Sequence, residues 1–116
     1  MKIPTEGCLL RVFVGESKRV AGMPVYEALV HRARELKLAG ATVLRGVLGF
    51  GAHSRLHAAK VLSLSGDMPM VVEIVDSREK IERLMPYIDE VVTQGLVTLE
   101  RAEVIYYRAT EGEGAA

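Results

Sequence analysis

One segment gathers most of the residues able to do chemistry. It is RGVLGFGAHSRLH, from Arg45 to His57. Gly46, Gly49, Phe50 and Gly51 form an apolar, glycine-punctuated run, with Arg45, Arg55, His53 and His57 around it. Successive glycines let backbone N–H groups converge on an anion, and they admit a phosphate without a Cβ in its path. Arginine forks grip phosphate through paired hydrogen bonds, and Lys60 adds a further cation nearby. The order matches neither a Walker A loop, which needs Gly-Lys-Ser/Thr, nor the GxGxxG dinucleotide fingerprint. A strand bulge or a hairpin corner would use the same glycines. The residue types alone favour that structural use.

His53 and His57 are four residues apart, so on a helix they would share a face and could bind a divalent metal together. A zinc site needs a third protein ligand, and local spacing supplies none. Asp67 or Glu73 could contribute only through the fold or a neighbouring subunit. Local hydrogen bonding, or pairing with a phosphate when charged, is the simpler use of these imidazoles. His31 lies one helical turn from Glu27 and Glu35 and decorates a surface. Hydrolytic chemistry finds no GxSxG elbow. Cys8, the only cysteine, falls within a strand pattern and reads as a small core residue. No catalytic residue is assigned, no cofactor is implied, and the chain reads as a non-enzyme.

These residues need a scaffold, and the patterning specifies one. Cys8 to Val14 is short, β-branched and aromatic, and Gly15 closes it as a strand. Leu10, Val12 and Val14 share one face; Leu9 and Phe13 share the other with Arg11. A polar connection runs from Gly15 to Gly22. Pro24 then opens a helix carrying Val25, Leu29, Ala33 and Leu36 at helical spacing, with Gly40 as its expected stop. Ala41 to Leu48 reads as a second strand running into the glycine segment. Ala52 to Lys60 is expected to hold a short helix or an ordered loop, and Leu62 to Ser65 an edge strand. Met70 to Val75 is the clearest strand. Asp76 and Glu79 suggest a capping box for a second helix bearing Ile81, Leu84, Ile88 and Val91. Pro86 should kink that helix, and Gly95 ends it. Leu96 to Leu99 and Glu103 to Tyr107 supply one long last strand or two short ones.

The order strand, helix, strand, strand, helix, strand predicts an α+β, ferredoxin-like βαββαβ fold with both helices on one face of an antiparallel sheet. Two helices cover one face only, so the apolar residues on the other predict a homo-oligomer with facing sheets, the alternative being that the C-terminal strands fold over that face within one subunit. The 116 residues fit a single domain over 1–110, with the small, acidic end 111–116 as a frayed tail. The 15 basic and 15 acidic side chains cancel, which argues against a nucleic-acid partner and eases self-association. A lone cysteine suits a reducing cytoplasm, and neither a signal-peptide pattern nor a run long enough for a membrane span is present.

Four stretches together resemble an uncharacterised prokaryotic PII-like family. They are Gly15-Glu16-Ser17, Pro24 to Leu29, Ala39 to Gly51 (AGATVLRGVLGFG) and Met68 to Asp76 (MPMVVEIVD). The likeness to the PII signalling proteins and CutA is more distant. It rests on the element order and on Gly49-Phe50-Gly51 ending the second strand. PII proteins are trimers that bind adenine nucleotides between subunits and report them through a loop after the second strand. The resemblance therefore implies a cytoplasmic homotrimeric signalling protein. Its expected ligand is a small anion, AMP, ADP or ATP, in inter-subunit clefts. It also implies a loop, residues 52–65, that contacts a partner such as a membrane transporter or channel. The implied ligand-binding residues are Arg45, Gly46, Gly49, Phe50, Gly51, Arg55 and Gly95, the last resembling a glycine of the second PII loop. This reverses the preference for a purely structural use of the glycines. Leu96-Val97-Thr98 stand where PII proteins carry a phosphate-binding lysine, and 52–65 lacks the tyrosine and basic pattern of nitrogen-signalling PII. The alternatives are a CutA-like metal-binding trimer using His53 and His57, an enzyme acting on nucleotides, and a non-catalytic structural assembly module.

Overall fold

A computed structural model describes residues 6–52, 56–58 and 67–109. A four-stranded antiparallel sheet is built from β1 (Glu6–Gly15), β4 (Thr42–Arg45), β7 (Pro69–Asp76) and β8 (Leu96–Glu103), in the order β4-β7-β1-β8. The helices are α1 (Val25–Glu35) and α2 (Arg78–Val91). Two small hairpins complete the described elements: β2 (Arg19–Val20) with β3 (Met23–Pro24), and β5 (Leu48–Gly49) with β6 (His57–Ala58). The expected βαββαβ order is present. The predicted strand over Leu62–Ser65, the tail 111–116 and most of 52–65 lie outside the described residues.

The sequence pattern explains the layering. In β1, Leu10, Val12 and Val14 are buried, and in β7 Met70, Val72 and Ile74 join them. From the helices, Val25, Leu29 and Ala33 of α1 and Ile81, Leu84, Ile88 and Val91 of α2 complete the same core. Their three- and four-residue spacings put each set on one helical stripe. α2 passes through Pro86 as one element, and its N-cap is Ser77, whose hydroxyl accepts the Lys80 N–H at 3.2 Å. The expected cap, Asp76, does something else. It is fully buried, and its carboxylate accepts the N–H of Ser77 at 2.7 Å and of Ala39 at 2.8 Å. Strand alternation causes this: even-numbered residues of β7 face the helices, and Asp76 follows Ile74 inward.

α1 also ends before its expected stop. Leu38 N–H reaches Ala33 carbonyl at 3.0 Å and Lys37 N–H reaches Arg34 carbonyl at 3.0 Å, with Lys37 left-handed at φ 61°. This is the paired hydrogen bonding of a Schellman close. Lys37 takes the position where Gly40 was expected to act. The second strand is shorter than predicted as well, because the chain breaks at Gly46 into β4 and β5. The last strand is single, and beyond it Tyr107 donates its hydroxyl to Ala39 carbonyl at 2.6 Å.

Among the described residues no helix lies on the opposite sheet face. Register places Leu44, Val71, Phe13 and Leu96 in one row across all four strands. Leu44 is 49% and Leu96 56% exposed. The next row holds Arg11, whose guanidinium donates to Glu73 at 2.9 Å and to Glu100 at 2.9 Å. The Glu73 hydrogen bond is the chief reason its pKa lies above the ordinary arginine value. Arg11 thus offsets part of the charge of the two carboxylates beside it, and the neighbouring row of Leu44, Val71, Phe13 and Leu96 is the apolar part of this face.

Candidate functional site

The end of the sheet where β1 finishes collects the candidate residues. β4 leaves the sheet here at Arg45, β7 enters at Pro69, and β8 enters at Leu96 just after Gly95. Gly46 continues the ladder by one bond, its N–H reaching Pro69 carbonyl at 2.7 Å. A Cβ on Gly46 would stand 2.7 Å from Pro69 Cγ, and one on Gly49 would stand 3.3 Å from it. Both glycines thus let the β5 strand lie against a proline far along the chain. Gly51 meets nothing within 4 Å and Phe50 is 70% exposed. None of the three glycines has a positive φ, so the left-handed turn of a backbone anion nest is not formed there.

Arg45 is engaged within the chain. Its Nε donates to Glu16 Oε2 at 3.2 Å and a terminal nitrogen donates to Glu16 Oε1 at 3.1 Å. That hydrogen bonding holds its pKa above the ordinary arginine value. Gly95 sits on the far side of the sheet end, pressed so close to β1 that a Cβ would overlap the Phe13 carbonyl oxygen. Arg55 and His53 lie outside the described residues. His57 belongs to β6 and pairs with Gly49. Among the described residues, no three His, Cys, Asp or Glu side chains are grouped to hold a metal.

The strand order has a consequence for these residues. Gly46 to Gly51 leave the β4 edge and Gly95 precedes the β8 edge, with β7 and β1 between them. Three inter-strand spacings separate the edges, about 14 Å. One copy of the chain therefore does not bring the two glycine segments together.

A cavity of about 160 Å³ opens beside Gly95 on the helix side. Val14, Val20, Val25 and Val91 give it an apolar wall, and Lys18, Thr93 and Gln94 line it with polar groups. Glu90 and Arg19 also reach it, the latter donating to Gly22 carbonyl at 2.7 Å. The β2–β3 hairpin that forms one side turns at Ala21 and Gly22, both with positive φ, as a two-residue hairpin demands. Among the described residues no carboxylate pairs with Lys18. Lys18, Thr93 and Gln94 were missed in the sequence, where the available signal was the polar run after Gly15 and the polar pair before Gly95. No helix among the described residues is long and apolar enough to cross a membrane.

Comparison with known proteins agrees with this geometry. Residues 7–104 match the model of the DUF190 family, described as "Uncharacterized ACR". A UPF0166 protein of Aquifex aeolicus is 42% identical over 100 residues, which cover 84% of this chain and 92% of the relative. Among solved structures, CPII of Thiomonas intermedia K12, bound to ADP and bicarbonate, superposes with a TM-score of 0.62 at 15% identity. That match covers 85% of this chain and 88% of CPII. A Thermus thermophilus protein described as a putative PII-like signaling protein superposes with a TM-score of 0.63 at 15% identity, covering 87% of this chain and 91% of that one. With its α+β, ferredoxin-like architecture shared with PII-like proteins, the chain belongs to the DUF190 (UPF0166) family.

Proposed function

We propose that this protein is a PII-like regulatory protein, cytoplasmic and non-catalytic, that binds an adenine nucleotide in clefts completed between subunits of a homotrimer. One observation carries the reading. The cavity beside Gly95 offers about 160 Å³, below the roughly 300 Å³ at which small-molecule sites begin, while the second glycine segment lies at the opposite sheet edge. A neighbouring copy bringing its β4 edge to the β8 side would enlarge the cleft and unite both segments. The row of exposed Leu44 and Leu96 with half-buried Val71 and Phe13 supplies apolar surface for that association. In this reading Lys18 meets phosphate charge, Thr93 and Gln94 supply hydrogen bonds, and Gly49 and Gly51 approach from the neighbour without a Cβ. Arg45 contributes where its pairing with Glu16 yields. CPII, with the same fold, is bound to ADP and bicarbonate, which supports an anionic ligand of this class. Occupancy would be reported to a partner protein of the transporter or channel class through residues 52–65.

Calorimetric titration with AMP, ADP and ATP tests the reading. The wild type is expected to bind one of them, and Lys18→Ala to bind it about tenfold more weakly, the loss of one charge-assisted contact. No heat with any of the three would contradict the assignment.

A further inference from the structure

The cavity beside Gly95 is bordered by charges of both signs. Lys18 borders it from the turn after β1, and Glu90 from the last turn of α2. They share about 160 Å³, yet among the described residues no ion pair joins Glu90 to Lys18 or to Arg19. Arg19 is bonded instead to Gly22 carbonyl at 2.7 Å.

Glu90 stands where helix electrostatics disfavour it. The C-terminal end of a helix carries partial negative charge and favours cations. The last turn of α2 holds Asp89 and Glu90 and no basic residue. Packing does not require the acid either, since Ile88 and Val91 are the buried residues of that turn and Glu90 is exposed. The α2 wall is therefore an acceptor wall, with the helix end and the carboxylate of one sign. A residue placed against its local preference, beside a cavity, points to a use other than stability.

An ionised carboxylate only accepts hydrogen bonds, and it repels phosphate. The group beside it must bring donors and no negative charge. With phosphate on Lys18, the sugar is the nearest neutral part of a nucleotide. Its 2′- and 3′-hydroxyls are adjacent donors that match the two carboxylate oxygens. The adenine edge instead sets its amino donor among ring-nitrogen acceptors. Carboxylates read ribose hydroxyls in this way at dinucleotide sites. The apolar wall of Val14, Val20, Val25 and Val91 suits the carbon face of the sugar.

We propose that Glu90 is a specificity-determining residue that accepts the ribose hydroxyls of the bound nucleotide, so that the site selects ribose over 2′-deoxyribose. The inference rests on the nucleotide reading above.

Calorimetric titration of the full chain tests it with ADP, 2′-deoxy-ADP, ribose 5-phosphate and 2-deoxyribose 5-phosphate. The wild type is expected to bind ADP at least about tenfold more tightly than 2′-deoxy-ADP, the strength of one hydrogen bond to a charged group. Glu90→Ala brings the two within about twofold, chiefly by weakening ADP. Asp89→Ala removes the same charge from the same turn, but Asp89 does not border the cavity, so the preference remains. Alanine suits exposed helical positions, so both variants fold. Equal affinity of the wild type for ADP and 2′-deoxy-ADP would overturn the proposal and leave the nucleotide site standing. So would a preference that survives in Glu90→Ala, or one that Asp89→Ala abolishes as well. If neither ADP form binds, but ribose 5-phosphate is preferred to its deoxy form only while Glu90 is present, the role of Glu90 stands and the nucleotide assignment falls. Binding of none of the four overturns both.

Discussion

Asp76→Ala is expected to destabilise the protein by about 3 kcal/mol, since two part-buried N–H groups lose a charged acceptor and each hydrogen bond to a charged group contributes about 1.5–3 kcal/mol. The carboxylate is fully buried and its two oxygens divide the labour: one takes Ser77 N–H at the start of α2, the other Ala39 N–H in the link from α1 to β4. Ala39 is held from its other side as well, by the Tyr107 hydroxyl. Losing Asp76 therefore loosens both helices relative to the sheet. Asp76→Asn retains one acceptor and should cost about half as much. Urea denaturation of the two variants measures this. A cost below about 1 kcal/mol for Asp76→Ala would mean that water or backbone adjustment replaces both bonds.

The second large effect belongs to Gly95. Gly95→Ala places a Cβ onto the Phe13 carbonyl oxygen and close to Val92. A backbone atom cannot rotate away as a side chain can, so the chain must move. The expected cost is about 3 kcal/mol, at the upper end for overpacking. The movement also displaces Thr93 and Gln94, so ligand binding should fall with stability. Gly51→Ala is the control. Nothing lies within 4 Å of that Cβ and its φ is not positive, so it should be neutral or stabilising by up to about 1 kcal/mol. Thermal and urea midpoints of the pair separate packing from backbone preference. Equal effects at the two positions would refute the close approach at Gly95.

How far the sequence reveals this protein follows from which contacts are local. β1, β7 and both helical stripes are legible because period-two and period-3.6 patterns are written within each segment. The N-terminus of α2 is ambiguous because Asp76 and Ser77 can both cap. The alternation Met70, Val72, Ile74 already points Asp76 inward, and that signal decides it. The close of α1 at Lys37 is invisible because lysine in the left-handed region has no compositional mark. Gly46 and Gly49 owe their smallness to Pro69, and Gly95 owes its own to Phe13, each far along the chain. The same distance hides the cavity, whose polar lining comes from the turn after β1 and the loop after α2. The family likeness points to the glycines, and the fold brings Lys18, Thr93 and Gln94 to one cavity, which the polar runs beside Gly15 and Gly95 only hint at.

The central claim is an assembly whose ligand sites are completed between copies. Native mass spectrometry of the full chain, with and without ADP, tests it most directly. The account predicts a trimer that takes up about one ADP per chain and binds none as a monomer. A monomer at micromolar concentration, or a trimer that leaves ADP free across its solubility range, would contradict it.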